Sequence, residues 1–371
     1  MPALVSEVIE AVETIAPPRL KYGDDPTGFQ MGDPLKEVGR VLFCLDVTFE
    51  VAAEAVEVGA GMLVAHHPLI FKPLPRLTYD DPLAALLSYL VKKDIAVYSA
   101  HTSLDRARWG VSDALAEVLG LKDARPLAPA VEVATYKLAV FAPGEAVDAL
   151  VVAIMESGGG IIGDYAGCTF RTAGVGTFVP APTARPYAGK IGELNRIEEF
   201  RLEAVVSRDR LNGVLSAIKS VHPYEEIAYD VYRLDNPEPG TGFGRIGYLP
   251  EELTLADCLA RWSERLNAFL RVEGDLSAKV KKVAVCGGSG GELIRAAANA
   301  GADVYVTGDV NHHAALEAKS LGLPIVDAGH YATEVVVLPG FAERVRKALE
   351  GAGRRVDLVT SKVVTDPWTK A

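Results

Sequence analysis

The sequence predicts an α/β protein in which duplicated α/β lobes form one domain, interrupted by a ferredoxin-like α+β insertion. Apolar strands alternate with amphipathic helices at both ends of the chain, and the two ends share a register. The pattern changes in the middle of the chain, and segments rich in proline and glycine lie at both ends of this middle region. We therefore place the first lobe at 1–130, the insertion at 131–240 and the second lobe at 241–371.

The first lobe alternates strand and helix, as a parallel sheet requires. A short amphipathic helix at the N-terminus ends at Pro17 and Pro18 and does not resemble a signal peptide. The elements that follow are a strand at 38–46, a helix at 49–60, a strand at 61–71 that runs into a loop, a helix at 81–94, a strand at 95–101 and a helix at 111–120.

The second lobe repeats this order. Its predicted elements are a strand and Gly-rich turn at 281–290, a helix at 291–302, and strands at 303–309 and 321–330. Val41 to Gly59 and Val283 to Gly301 each span 18 positions, from the first strand to the glycine that closes the next helix, and the two pairs are 242 positions apart. This common spacing predicts that the lobes are duplicates.

The insertion has the pattern β-α-β-β-α-β, which is typical of a ferredoxin-like module. Its clearest elements are a strand at 135–143, a helix at 146–158, a strand at 199–209, a helix at 212–223 and a strand at 226–234.

Composition excludes several classes of protein. The 371 residues carry a formal net charge of −11, so we expect neither nucleic acid nor an anionic membrane as a partner. No apolar stretch approaches the roughly 18 residues of a membrane span. The four cysteines are far apart, which argues against disulfides or a thiolate zinc site and predicts a reducing, cytoplasmic location.

Histidines stand at the predicted ends of strands in both lobes. His66 and His67 follow an apolar strand and precede Pro68, and the offset of 242 places them opposite Gly308 and Asp309. The carboxyl ends of parallel strands are where α/β sheets bind ligands. Taken alone, the His66–His67 pair fits a structural role in hydrogen bonding as well as it fits a role in ligand binding.

Two further His–acid pairs favour a metal site. His101 and Asp105, and likewise His330 and Glu334, are four positions apart just after predicted strands. Imidazole and carboxylate without thiolate suit Zn, Mn or Fe, and one carboxylate can bridge two ions. Two neighbouring ions can activate a water molecule and stabilise both the attacking and the leaving oxygen of a displacement reaction. The sequence therefore predicts a dinuclear metal site.

Several segments closely resemble the GTP cyclohydrolase type-two-like family, whose members are also called Nif-three-like dinuclear metal-centre proteins. These segments are VAHHPLIFKPL, YSAHTSLDRARWGVSDALAEVLG, CGGSGGELI, VTGDVNHH and DAGHYATE. The resemblance covers about 1–127 and 245–371. The middle module, with SVHPYEEIAYDVY, resembles the PII-like or CutA-like insertion of longer members.

The resemblance implies two divalent ions, Zn, Mn or Fe, in each subunit of a toroidal homohexamer. It implies that His66 binds one ion and His67 the other, with Asp105 and His330 completing the two sites and Glu334 bridging them. For His101 it implies a role behind the ligands or in proton transfer, so that His101 and Glu334 are the candidate catalytic residues. The family's Trp-Asp-Asn-x-Gly-Leu segment is altered here, at 23–29, which leaves the packing and any substrate contact of that loop open.

Four other features each leave two interpretations open. Asp46 could orient a ligand or cap the next helix, and Asp309 could cap a helix or line a substrate cavity. The segment Cys286-Gly-Gly-Ser-Gly-Gly could cradle a phosphate or form a tight structural turn, with Cys286 as a small apolar residue. The cluster at His222, Glu225 and Glu226 could bind a cation or be a charged turn.

We interpret the sequence as a metal-dependent hydrolase that acts on GTP, a related nucleotide or a phosphoester. The alternative is a non-catalytic, metal-stabilised ring that binds a ligand or protein partner, with the insertion as a regulatory sensor. A dinucleotide-dependent oxidoreductase, built on the Gly-rich turn, is the last interpretation, because these glycines do not fit G-x-G-x-x-G.

Overall fold

The computed structural model describes residues 2–130, 135–163, 165–236 and 240–369. The chain divides into two compact units, the first formed by 1–130 with 240–371 and the second by 131–239.

The strands of the first half are β1 (Ala3–Leu4), β2 (Gly28–Met31), β3 (Glu37–Val38), β4 (Arg40–Cys44), β5 (Met62–Ala65), β6 (Ala96–Ser99) and β7 (Lys122–Pro129). The second unit contributes β8 (Thr135–Ala142), β9 (Thr169–Phe178), β10 (Asn195–Ser207) and β11 (Tyr229–Leu234). The last part of the chain contributes β12 (Gly242–Thr254), β13 (Arg271–Glu273), β14 (Lys279–Ser289), β15 (Val304–Gly308), β16 (Ile325–Asp327) and β17 (Asp357–Thr360).

The helices are α1 (Val5–Ile15), α2 (Phe49–Glu57), α3 (Pro82–Lys92), α4 (His101–Arg106), α5 (Val111–Leu119), α6 (Val147–Glu156), α7 (Leu211–Val221), α8 (Leu255–Leu266), α9 (Ile294–Asn299), α10 (His312–Ser320), α11 (His330–Glu334) and α12 (Leu338–Gly351). Short 3₁₀ turns lie at Pro18–Leu20, Gly144–Ala146, Gly291–Leu293 and Val335–Val337.

The first sheet of the larger unit has the order β17-β4-β5-β6-β2, with β2 antiparallel at one edge and the other strands parallel. Alternate residues of a strand point to opposite faces. Accordingly Val41 and Phe43 pack with α1 and α12, whereas Leu42 and Cys44 pack with α2 and α3. Burial on both faces explains why these strands are continuously apolar.

The second sheet has the order β13-β16-β15-β14-β12-β7. Its central strands β14, β15 and β16 are parallel, and β13, β12 and β7 are antiparallel to their neighbours. Side chains of β14 alternate between a core that contains Val283 and Val285 and another that contains Ala284 and Cys286.

The two lobes share the predicted register. In the first sheet Val41 lies opposite Met62, and in the second Val283 lies opposite Val304, so one offset of 242 relates both pairs. Gly59 and Gly301 close the following helices with φ of 71° and 70°, a left-handed conformation in which glycine is the least strained residue.

Each half of the chain also supplies one strand to the other half's sheet. Strand β7, from the predicted first lobe, pairs with β12 in the second sheet, and β17, from the C-terminal end, pairs with β4 in the first. The sheets therefore do not follow the predicted lobe boundaries. Periodicity identifies a strand but carries no information about a partner far along the chain.

The smaller unit has the element order β8-α6-β9-β10-α7-β11 and the antiparallel sheet order β11-β8-β10-β9, which is the ferredoxin-like arrangement. Alternate residues of β8 and β10, such as Leu138 and Leu202, pack against α6 and α7. The predicted resemblance to PII-like or CutA-like modules stays a prediction.

The structure differs from the sequence analysis in elements that periodicity did not identify, among them β12, α8 and α12, and in the Gly-rich segment. The predicted turn at 287–290 is largely strand, because β14 continues to Ser289, and a 3₁₀ turn then leads into a shorter α9. Among the described residues, none of the helices has both the length and the apolar character needed to cross a bilayer.

Candidate metal centre

The strand ends of the two sheets bring the predicted residues together. His66 and His67 directly follow β5, while His101 and His330 are the first residues of α4 and α11, which follow β6 and β16. Residues four apart lie on the same side of a helix, so Asp105 stands beside His101 and Glu334 beside His330.

A first group contains His66, Asp105 and Glu334. The Nε2 atom of His66 lies 3.5 Å from Asp105 Oδ1 and 3.7 Å from Glu334 Oε1. His66 and Glu334 are almost completely buried. This group therefore offers one imidazole nitrogen and two carboxylates away from solvent.

A second group contains His67, His330 and Glu334. The Nε2 atoms of both histidines lie 3.1 Å from Glu334 Oε2 and 3.4 Å from each other. Glu334 thus directs Oε1 toward the first group and Oε2 toward the second, which is the geometry of a bridging carboxylate. A third overlapping group joins His66, His67 and His101.

Three of the histidines are held by aspartates. The Nδ1 atoms of His67, His330 and His101 lie 2.7 Å from carboxylate oxygens of Asp46, Asp309 and Asp25, respectively. A carboxylate at Nδ1 holds the proton there and leaves Nε2 as a ligand atom, an arrangement typical of metal-binding histidines. The Nε2 atoms of His67 and His330 both face Glu334 Oε2, and His101 belongs to the same cluster of residues.

These pairs favour the orienting role for Asp46, and they give Asp309 a role that neither of its two interpretations named. The N-cap of α2 is Thr48, which accepts a hydrogen bond from the Val51 amide, and the N-cap of α10 is Asn311. Neither aspartate caps a helix. Both carboxylates instead orient a histidine of the cluster.

Asp25 is the residue that the sequence analysis did not assign. It lies in the altered segment 23–29, and besides His101 it accepts hydrogen bonds from the backbone amide and hydroxyl group of Thr102, at 3.2 and 2.6 Å. The one clue in the sequence was that Asp25 lies in segment 23–29, a loop whose contact with a substrate the motif comparison had left open. Its pKa is lowered: burial would raise it, but hydrogen bonds from His101, Thr102 and Thr27 outweigh that effect.

The electrostatics of the cluster favour bound cations. Burial lowers the pKa of His67, but hydrogen bonds to Asp46 and Glu334 outweigh this and raise it to about 10. The hydrogen bond to Glu334 is the main cause that raises the pKa of His330 to about 9. Burial, with Glu334 nearby, raises the pKa of Asp105. The carboxylates thus create a strongly negative environment at the Nε2 atoms.

His66 gives the clearest indication that the residues fit metal ions. It is buried, yet neither of its ring nitrogens has a hydrogen-bond partner among the described residues. Buried polar atoms are rarely left unsatisfied without a functional reason. A cation between His66 Nε2 and the carboxylates of Asp105 and Glu334 would satisfy that atom, and the N and O donors suit Zn, Mn or Fe.

The glycines after Cys286 provide space for Glu334. Gly288 has φ of 62°, and a Cβ atom there would overlap Glu334 Oε1. Its amide donates to Thr333 Oγ1 and that of Gly290 to Thr307 Oγ1, each at 3.0 Å, so neither amide faces a phosphate. The geometry favours a structural segment over a phosphate cradle. Burial raises the pKa of Cys286 to about 12, so it stays a thiol.

The cluster in the smaller unit has no free ligand nitrogen. His222 Nε2 lies 3.0 Å from the Phe141 carbonyl oxygen, and Nδ1 lies 3.1 Å from the Tyr224 amide. Glu225 accepts a hydrogen bond from the Arg185 amide. The proposal of a cation site at His222, Glu225 and Glu226 is therefore not supported, and the charged-turn interpretation is favoured.

Comparison with known proteins establishes the family. A family model described as Duf34/NIF3 (NGG1p interacting factor 3) matches residues 3–367. The chain belongs to the Duf34/NIF3 family. The resemblance stated from the sequence motifs is thereby confirmed.

Relatives match over nearly the whole chain. A Halalkalibacterium halodurans protein named GTP cyclohydrolase 1 type 2 homolog is 40% identical over 363 residues, covering 98% of this chain and 97% of its own. A Bacillus subtilis protein of the same name is 38% identical over 364 residues, with the same coverage. The crystal structure of a Bacillus cereus protein related to NIF3 covers 100% of both chains, with a TM-score of 0.87 and 40% identity.

Proposed function

We propose that this protein is a dinuclear metal-dependent hydrolase. The observation that carries the proposal is the position of Glu334, whose two oxygens face two separate groups of ligands. In this proposal one ion is held by His66, Asp105 and Glu334 Oε1. The second is held by His67, His330 and Glu334 Oε2.

Bound divalent ions supply Lewis-acid activation of a water nucleophile and neutralise negative charge on the reacting group. The chain holds its ligands ready for this. Asp46 and Asp309 keep His67 and His330 oriented, and burial of His66 and Glu334 excludes water from the far side of the cluster. The ligand side chains then need to move little when the reaction begins.

Of the two candidate catalytic residues, His101 is the better proton acceptor. Three histidines hold the pKa of Glu334 well below its usual range despite its burial, so Glu334 has little affinity for a proton. Asp25 accepts the Nδ1 proton of His101 and leaves Nε2 as an acceptor, and the side chain is 22% exposed. His101 thus combines access with a fixed orientation.

The names of the relatives support GTP or a related nucleotide as the substrate. The reaction we propose for GTP is hydrolytic opening of its imidazole ring at C8. The same pair of sites would serve phosphoester hydrolysis. Either reaction requires two ions at these residues, so metal binding is tested first.

The test begins with elemental analysis of protein purified without chelator, beside His67→Ala, Glu334→Ala and the control His312→Ala. His312 is exposed and lies outside the cluster. We expect about two equivalents of a transition metal in the wild type and the control, and less in both site variants. The proposal would be refuted if the wild type contained little metal and incubation with Zn, Mn or Fe(II) did not raise its metal content.

Activity then separates an enzyme from a metal-stabilised ring. In an enzyme, Asp105→Ala abolishes turnover of GTP or a phosphoester while the assembly survives. If the metal serves only the assembly, chelation dissociates the oligomer or lowers its melting temperature, and no variant changes turnover because none occurs. Gel filtration and a turnover assay on the same samples distinguish these results.

A further inference from the structure

A shallow, open cavity of about 390 Å³ adjoins His67, at one side of the candidate metal centre. Its lining comes from 46–50, where β4 leads into α2, from 67–69 after β5, and from the start of α3. His67, a proposed ligand, forms part of its wall. Of the five proposed metal ligands, His67 is the one that lines it, so a molecule bound here would meet the centre through His67.

The walls of the cavity are mainly apolar. Leu69, Leu83, Leu86 and Phe49 line it, together with two prolines. Leu86 is buried, and Phe49 is 45% exposed and packs edge-to-face on Tyr89. Its volume falls within the range of about 300 to 1,000 Å³ that is typical of pockets for small molecules.

The charges of the cavity are acidic. Asp46 and Glu50 lie in the wall, and among the described residues no lysine or arginine lines it. The Asp46 carboxylate forms hydrogen bonds with His67 and Thr365, whereas the Glu50 side chain is exposed. A triphosphate placed here would face two carboxylates without a protein cation to compensate.

We propose that this cavity is the specificity subsite of the metal centre and binds an uncharged aromatic ring of the substrate. The inference rests on the proposed function and deepens it. The anionic or reacting group of the substrate lies at the His67 end, beside the ions, and the ring lies between Leu69, Leu83 and Phe49. A nucleotide would accordingly place its base, not its phosphates, in the cavity.

Two non-hydrolysable probes test this without turnover. Binding of 1-naphthylphosphonate and methylphosphonate to the metal-loaded protein is measured by calorimetry. Because the naphthyl ring removes apolar surface from water, we expect it to bind about 10- to 100-fold more tightly. Leu83→Asp should abolish this preference, so that the ratio of the two affinities falls to about one. Val91→Asp, on the same helix but 65% exposed and outside the cavity, is the matched control.

A third probe separates this inference from the metal proposal. Neutral 1-naphthol should bind the chelated wild type and Val91→Asp but not Leu83→Asp, as followed by ligand-observed NMR. Equal affinities for the two phosphonates, or a naphthyl preference that survives Leu83→Asp, would overturn the subsite and leave the metal centre standing. Naphthol binding that is lost in Leu83→Asp, in a protein that takes up no metal, would support the cavity while the hydrolase proposal fails.

Discussion

At the scale of single residues, the centre depends on carboxylates that do not themselves face the proposed ions. His67, His101 and His330 each have an aspartate at Nδ1, whereas His66 is oriented by burial alone. Ligands held in this way lose less conformational freedom on binding. The aspartates are therefore as informative to substitute as the ligands.

Asp309→Asn should lower the affinity for the ion held by His330 about 10- to 100-fold, because the amide holds the imidazole less strongly. Asp309 is about half exposed, so the fold should survive. Competition with a chromophoric chelator measures the affinity. Glu350→Gln, at an exposed surface ion pair, is the control and should change nothing. Unchanged affinity in Asp309→Asn would show that the Asp309–His330 contact does not support binding.

The raised pKa values predict how the metal-free protein responds to pH. His67 and His330 have pKa values of about 10 and 9 in the folded chain, against 6.5 ordinarily. A raised pKa adds stability that is complete below pH 6.5 and is lost as the pH rises through the folded values. The melting temperature of chelated protein should therefore fall between about pH 6.5 and 10, and less steeply in His67→Asn than in His312→Asn. Equal slopes in the two variants would contradict the assigned pKa of His67.

The residues that the sequence could identify were those with a local signature. A histidine pair before a proline, and His–acid pairs four apart, mark the centre without a structure. Asp25 carried no such signature, since its contact with His101 spans 76 positions. Asp46 and Asp309 were recognised as polar strand-end residues, but only the contacts decide what each one does.

At the scale of elements, the centre is built where strands end and short helices begin. Helices α4 and α11 start at His101 and His330 and each end near an acidic residue of the cluster. Strand β14 passes behind Glu334 and can do so only through glycine. Apolar periodicity predicted the parallel strands β4–β6 and β14–β16, but it missed others such as β2 and β12. The extension of β14 through its glycines was missed because glycine favours turns in most contexts.

Gly288→Ala tests this packing. The added methyl group would overlap Glu334 Oε1 at a positive φ, so Glu334 must move. We expect a loss of at least one equivalent of metal and about 1 to 3 kcal/mol of unfolding free energy. Gly291→Ala, three residues later, meets only Ala314 Cβ at 3.9 Å and is the control. Elemental analysis and denaturant unfolding provide the readouts, and equal metal content in the two variants would refute the packing role.

At the scale of the whole molecule, the centre requires both halves of the chain. The first half supplies His66, His67 and Asp105, and the second supplies His330 and Glu334. Composition predicted where the insertion lies, because proline and glycine mark its ends. The exchange of β7 and β17 between sheets escaped prediction, since such pairing depends on contacts across most of the chain.

The larger unit should fold and bind metal without the smaller one. Strands β7 and β12 pair with Pro129 opposite Gly242, and the Ala130 amide donates to the Thr241 carbonyl oxygen at 3.2 Å. A short Gly-Asn turn in place of 131–239 can therefore close a hairpin. We expect a cooperative melt and unchanged metal content in the shortened protein. An unfolded product, or one that has lost its metal, would show that the larger unit depends on the insertion.

Whether Glu334 bridges two ions can be seen in a crystal structure of the zinc-loaded protein, with anomalous scattering to locate the zinc. We expect two zinc peaks in each chain, one beside His66 and Asp105 and one beside His67 and His330, each in contact with a different oxygen of Glu334. A single peak, or peaks that Glu334 does not touch, would contradict this expectation.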